Sequence, residues 1–248
     1  MILGQILRGS LDLLLPPGCI CCGQGLAEGR SAVELCSPCR QELSALVSAE
    51  ACPRCGHSLG PYASCGLCLD ARPPMAATVR IGVFRGPLAQ LIRAVKYRDL
   101  RYGVPLLADL LLAKLCQRRV VEDVDLVTAV PLHWWRFYRR GYNQASLLTR
   151  ALRARGFNRP LERCLVRVRD TRPQVGLSRA DRLANMRGAF RVRRSERVRG
   201  KRILLVDDVL TTGATAGTCA RELLRHGARS VTVAVAAVAE GDRQTLVL

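Results

Sequence analysis

Nine of the chain's 12 cysteines lie between Cys19 and Cys68, and eight of the nine form Cys-x-x-Cys pairs. The pairs are Cys19/Cys22, Cys36/Cys39, Cys52/Cys55 and Cys65/Cys68. Two thiolates separated by two residues can grip one ion from a single tight turn, and Gly23 and Gly56 stand where the chain must then bend back. Eight ligands suit two tetrahedral zinc sites better than a set of disulfides. In chain order the sites are Cys19, Cys22, Cys36 and Cys39, then Cys52, Cys55, Cys65 and Cys68. A cross-brace of alternate pairs satisfies the spacing as well. Cys21 could replace Cys19, although the two-residue gap favours Cys19. His57 would be a ligand with no position left to fill. Closed four-thiolate sites leave no place for a reacting water, so this zinc is structural. It supplies folding energy to a block too small to build its own core.

Three blocks follow from the pattern. Residues 1–17 are apolar, with Ile2, Ile6 and Leu13 to Leu15 suited to a short docking helix, and end at Pro16-Pro17. Residues 18–70 are the cysteine block, read as a double zinc ribbon. Ala71-Arg72-Pro73-Pro74 reads as a linker, because paired prolines resist helix and central strand alike. Residues 76–248 then alternate strand and helix patterns, which predicts an α/β domain with a mostly parallel sheet flanked by helices. Strands are expected at Thr78 to Phe84, Asp125 to Leu132, Leu161 to Val168, Lys201 to Asp208 and Ser230 to Val238. Leu88, Leu91, Ile92 and Val95 mark an amphipathic helix ending near Lys96. Further helices are expected at Pro105 to Cys116, at Asn143 to Arg155 with Gly156 closing it, and at Ala214 to His226 before Gly227. His133 to Arg140 is expected as a loop. So is Asp170 to Ser178, with Ser178 capping a short helix to Met186. Cys116, Cys164 and Cys219 fall in apolar patterns and are expected to be buried.

Composition narrows the function classes. Hydrophobic residues make up 49% of the 248, enough for a sizeable core. No apolar run reaches membrane-spanning length. The apolar lead carries Arg8 and Asp12 and lacks a basic start, so it does not read as an export signal, and thiol-rich zinc ligands fit a reducing, cytoplasmic setting. The formal charge is +19. Residues 153–202 concentrate it, with 17 Arg or Lys against Glu162, Asp170, Asp181 and Glu196. Such a block attracts polyanions, or is simply the solvated face of a basic protein.

The most informative run is Val206-Asp207-Asp208-Val209-Leu210-Thr211-Thr212-Gly213-Ala214-Thr215. A buried strand delivers two carboxylates at its end, where parallel sheets bind ligands. Carboxylates accept hydrogen bonds from paired sugar hydroxyls. The small, hydroxyl-bearing turn that follows opens a helix whose free N–H groups and dipole hold a phosphate. Acids for a sugar beside a cradle for a phosphate describe a ribose 5-phosphate. Neither GxxxxGK[ST] nor GxGxxG occurs, which excludes those two nucleotide-binding loops.

This run resembles the phosphoribosyl-pyrophosphate signature of type I phosphoribosyltransferases. The whole layout is similar to the ComF family of competence proteins: a zinc segment, Val130-Pro131-Leu132, Arg140-Gly141-Tyr142-Asn143-Gln144, and the signature. The resemblance implies a type I phosphoribosyltransferase-like fold after a double zinc ribbon, and phosphoribosyl pyrophosphate carried with Mg²⁺. It implies that Asp207 and Asp208 hold the ribose hydroxyls while Thr211, Thr212, Gly213, Ala214 and Thr215 seat the 5-phosphate. It also implies a link to natural transformation, with single-stranded DNA and competence-machinery proteins as partners at the cytoplasmic face. Pyrophosphate contacts are expected after Val130-Pro131. Candidates are Arg139, Arg140, Asn143 and Gln144 at the start of a helix, and Lys96, which is equally suited to an exposed position. Residues 171–187 match the position of a mobile lid, with Gln174, Leu177, Arg179, Arg182 and Asn185 at the family's spacing. The aromatic side chains of His133-Trp134-Trp135-Arg136-Phe137-Tyr138 could stack on bases or pack on the zinc block.

Two function classes remain open. One is a Mg²⁺-dependent phosphoribosyl transfer with no acid or base legible and the acceptor unreadable. The other is a non-catalytic module that holds single-stranded DNA or a partner on the same fold.

Overall fold

The computed structural model describes residues 18–26, 35–59, 65, 68, 73–97, 100–171 and 179–240, with the side chains of residues 136, 139, 179, 180, 182 and 183 excepted. The expected N-terminal helix, Ser178 and most of the lid segment lie outside them. The elements are α1 (Ser37–Ser48), β1 (Ala77–Val83), α2 (Gly86–Tyr97), α3 (Val104–Gln117), β2 (Leu126–Ala129), α4 (Trp134–Arg140), α5 (Gln144–Ala154), β3 (Leu165–Arg167), α6 (Arg179–Met186), β4 (Phe190–Val192), β5 (Arg202–Leu210), α7 (Ala214–Arg225) and β6 (Ser230–Val238).

The main sheet has the order β1-β6-β5-β2, and every pairing in it is parallel. Parallel strands are covered on both faces, which explains the unbroken apolar runs in β5 and β6. Alternation sorts these side chains into two cores. Leu204, Val206, Ala234 and Ala236 pack with α1, α2, α3 and α5 on one face. Ile203, Leu205, Val231, Val233 and Val235 pack with α7, Met186 and the antiparallel pair β3-β4 on the other.

Differences from the sequence reading have local causes. His133 to Arg140, expected as a loop, is the helix α4. Gly141 ends it with φ 75° and donates its N–H to Phe137 at 2.7 Å. Glycine in that left-handed position is an ordinary helix stop, and the aromatic run hid it. Helix α1 is added inside the cysteine block, with Pro38 in its first turn and Cys39, Leu43 and Leu46 buried. Strand 161–168 shrinks to three residues, because only Leu161 reaches the main sheet, by a bridge to Val127, and β3 pairs with β4 instead. Cys164 and Cys219 are buried as expected, but Cys116 is exposed. It falls one residue after the buried Leu115, past the inward stripe of α3.

The cysteines group in chain order. In each set, Cys19, Cys22, Cys36, Cys39 and Cys52, Cys55, Cys65, Cys68, all sulfurs lie within 4.8 Å of one another. Sulfurs bound at 2.3 Å to one tetrahedral ion stand about 3.8 Å apart. The separations of 3.6 Å for Cys22–Cys36 and 3.8 Å for Cys52–Cys68 fit that spacing. Burial opposes ionisation of Cys19 and Cys52, but hydrogen bonds from neighbouring backbone outweigh it, bringing the thiols down to about 6 and about 7. Cys21 is no member of either set; its Sγ lies 3.2 Å from the carbonyl of Pro87 at the start of α2. The second ribbon is joined to the sheet. Thr78 donates its N–H to Pro53 and its hydroxyl to Arg54, and buried Arg80 reaches both Ser58 and Glu240 at 2.8 Å.

Candidate functional site

The acidic pair lies within β5 rather than at its end, just past the last residue paired with β2 and still alongside β6, and the strand's two-residue period sends the neighbours to opposite faces. Asp207 turns toward α7, where its charge reaches the buried Cys219. Asp208 turns toward α2, and Lys96 Nζ approaches its Oδ2 at 3.2 Å. Backbone fixes both: Asp207 Oδ1 accepts the N–H of Asp208 at 2.9 Å, and Asp208 Oδ1 accepts that of Val209 at 2.8 Å. Burial, then the adjacent charge of Asp208, pushes the Asp207 carboxyl well above the usual carboxylate range.

Beyond the acids, Thr211, Thr212 and Gly213 form the turn, and Gly213 stands at φ 72° as the residue before α7. No side chain caps the start of α7. The Thr212 hydroxyl oxygen is buried and has no protein partner. The first N–H groups of α7 and the Thr212 hydroxyl are thus hydrogen-bonding groups to which no protein side chain is matched. Ala214 is buried under the turn. Thr215 directs its hydroxyl at the sulfur of Met186 in α6, 3.6 Å away.

The segment Arg140-Gly141-Tyr142-Asn143-Gln144 works largely as a clamp. Tyr142 donates its hydroxyl to the carbonyl of Val95 at 2.5 Å, beside Lys96. Asn143 donates from Nδ2 to the carbonyl of Val130 at 2.9 Å and caps α5 through Ser146 N–H. Val130 in turn donates its N–H to Val206, one residue before the acids. Arg140 donates to Gln144 Oε1 at 2.9 Å, and Gln144 lines a cavity of about 20 Å³ with Asp208. One short motif therefore ties the end of α2 to the end of β2, which itself pairs with β5.

Residues 10–69 match the double zinc ribbon domain, and residues 139–246 match the phosphoribosyl transferase domain. The chain is 35% identical to competence protein F of Haemophilus influenzae over 221 residues, spanning 87% of this chain and 94% of the relative. It is 33% identical to the DNA utilization protein YhgH of Escherichia coli (strain K12) over 228 residues, spanning 89% and 96%. The chain belongs to the ComF family. Among solved structures, a purine phosphoribosyltransferase from Pyrococcus horikoshii covers 54% of this chain and 73% of its own, at 17% identity and a TM-score of 0.33. For this ComF-family member the parallel sheet and the domain matches define the fold.

Measured against the family's motifs, the fold gathers Lys96, Arg140, Asn143, Gln144, Asp207, Asp208 and the 211–215 turn at one end of the sheet. The side chains of Arg139, Arg179 and Arg182, and residues Gln174 and Leu177, lie outside the described residues. Asn185 lies in the last turn of α6, where its carbonyl accepts from Arg169. Two site features were missed in the sequence. Tyr97, 70% exposed, lies under both cations, with Lys96 Nζ 5.7 Å and the Arg140 guanidinium 5.8 Å from its ring centre. His133 Nδ1 stands 3.7 Å from Asp170 Oδ1, joining the loop after β2 to the loop after β3. Adjacency to Lys96 was the available signal for Tyr97; nothing local pairs His133 with Asp170.

Proposed function

We propose that this ComF-family protein binds phosphoribosyl pyrophosphate with Mg²⁺ on the cytoplasmic side and acts as a phosphoribosyltransferase serving DNA uptake. The observation that carries the reading is the Thr212 hydroxyl, buried without a partner beside the uncapped start of α7 and a few residues from Asp207 and Asp208. In this reading Thr211, Thr212 and the amides from Gly213 to Thr215 seat the 5-phosphate, and Asp207 and Asp208 are the carboxylates for the ribose hydroxyls, Asp208 being the one on the Lys96 side. Mg²⁺ needs only one or two carboxylates beside a ligand's phosphates, and would come with phosphoribosyl pyrophosphate. When bound, Mg²⁺ would neutralise the departing pyrophosphate. The chain's own part is to orient the sugar and place Lys96 and Arg140 near developing negative charge.

Mixing the protein with phosphoribosyl pyrophosphate, Mg²⁺ and a panel of nucleobases tests the reading. Pyrophosphate release is expected, and Asp207→Asn with Asp208→Asn should abolish it. Calorimetry that detects no binding with or without Mg²⁺ would overturn it. Thiol-rich zinc sites fit the reducing, cytoplasmic setting this reading assigns.

A specific observation favours a second reading, in which single-stranded DNA binds the same fold. Trp134, Trp135, Phe137 and Tyr138 on α4 are all exposed rather than packed on the zinc block, and the rings of Trp135 and Tyr138 stack at 6.2 Å. Aromatic faces among guanidinium groups suit unpaired bases. Family relatives carry the names "DNA utilization protein" and "Competence protein F".

A further inference from the structure

Asp208 has both of its carboxylate oxygens engaged. Oδ1 accepts the Val209 N–H at 2.8 Å, and Oδ2 faces Lys96 Nζ at 3.2 Å. A sugar hydroxyl that binds Asp208 through Oδ2 must therefore share that oxygen with an ammonium or displace it. Displacement is sterically open, because 27% of the Lys96 side chain and 22% of the Asp208 side chain are exposed.

The backbone beneath Lys96 is anchored, while its side chain is partly exposed. Lys96 lies in the last turn of α2, and the neighbouring Val95 carbonyl is held by the Tyr142 hydroxyl. The ammonium rides above the Tyr97 ring, which the Arg140 guanidinium also approaches. A lysine head on a four-carbon stem is a mobile point charge, and a tyrosine face gives it a low-cost track between two anions.

We propose that Lys96 is a specificity-determining switch: it neutralises Asp208 while the site is empty and passes to the diphosphate of an arriving ligand, freeing Asp208 Oδ2 for the sugar hydroxyl. The inference rests on the phosphoribosyl-pyrophosphate reading and adds the selection rule. A sugar phosphate without a diphosphate must break the Lys96–Asp208 pair and leave the ammonium with no anion in return. One that brings a diphosphate exchanges one charged partner for another. Selection follows because a ligand shifts a two-state element only by its differential affinity for the two states. Tyr142 is a positioning residue in this scheme, since it sets the point from which the lysine swings.

The test is calorimetry on the full-length, zinc-loaded protein with two probes, phosphoribosyl pyrophosphate with Mg²⁺ and ribose 5-phosphate. In wild type the former binds more tightly. In Lys96→Met the ratio of the two affinities should fall by about tenfold or more, the scale of one charge-assisted contact. Tyr142→Phe should lower the ratio by a smaller factor. An unchanged ratio in Lys96→Met, whether both affinities drop together or neither moves, overturns the switch while leaving the site reading intact. Wild type that binds neither probe sinks the site reading and the switch with it. The empty state has its own readout: melting shifts of Lys96→Met and Asp208→Asn should fail to add in the double variant. Additive shifts would show that no pair exists to be exchanged.

Discussion

Asp207 and Asp208 are identical in chemistry and adjacent in sequence, yet the fold gives them different electrostatics. Asp207 ionises near 3.8 in an unfolded chain and far higher in the folded protein, chiefly through burial. Between those two values the unfolded state binds fewer protons, so this residue makes stability fall as pH rises. Asp207→Asn removes that slope. Urea midpoints from about pH 5 to 8 should show the variant gaining on wild type as pH increases, and a constant offset would refute the assignment. Gly213 offers a second check. Its φ of 72° is strained for any residue with a Cβ, although nothing lies within 4 Å of where that atom would go. Gly213→Ala should therefore cost about 1–2 kcal/mol from backbone strain alone. Calorimetry should show weaker phosphate binding as the turn relaxes. The sequence displayed both acids and the glycine. It did not disclose that Lys96 would meet one acid and not the other, because that depends on which face of β5 each occupies.

Elements couple through the second zinc ribbon. Arg80 in β1 has 3% of its side chain exposed and joins Ser58, which follows Cys55, to Glu240, which follows β6. Against the effect of burial, the Ser58 hydroxyl, the Arg80 guanidinium and the Ser58 amide hold the Glu240 carboxyl below its ordinary range. Arg80→Met leaves Glu240 without its buried partner and should cost about 3 kcal/mol in chemical denaturation. The same contacts predict what metal loss does. Cys55→Ser should cut zinc from two ions per chain toward one and raise hydrogen exchange along Ala77–Val83, while α7 stays protected. Equal exchange in β1 and α7 would show that the ribbon does not brace the sheet. At this scale the sequence was a fair guide to strands with unbroken apolar runs, such as β5 and β6. It was a poor guide to α4, whose exposed aromatic residues give no inward stripe and whose only clear mark was Gly141.

Across the molecule, charge is less free than a residue count implies. Within the basic block, Arg155, Arg197 and Arg202 are held by Asp109, by Glu162, and by Asp123 with Asp125. Arg191, Arg193, Arg194 and Arg199 remain exposed. Binding to single-stranded DNA, if it follows the second reading, should draw on both this charge and the aromatic helix. Trp134→Ala with Tyr138→Ala should weaken it by about 1–3 kcal/mol per base unstacked, while the melting temperature hardly moves because both rings are exposed. Arg191→Ala with Arg193→Ala should instead flatten its dependence on salt. Affinity that ignores salt and survives loss of the aromatic rings would dismiss that reading.

The amino-acid sequence alone determined the chemistry that repeats or runs contiguously. Cysteine spacing specified two four-thiolate sites, and one decapeptide specified a carboxylate pair followed by a small hydroxyl-bearing turn into a helix, because each is built from residues close together in the chain. Tertiary structure decided what depends on residues far apart. It chose chain-order grouping of the thiolates over a cross-brace and placed Lys96 against Asp208. It also made Arg140 to Gln144 a clamp between the ends of α2 and β2 and left the aromatic face of α4 in solvent. Such contacts arise from the crossing of helices over a twisted parallel sheet, and no local pattern encodes which side chains that crossing will bring together.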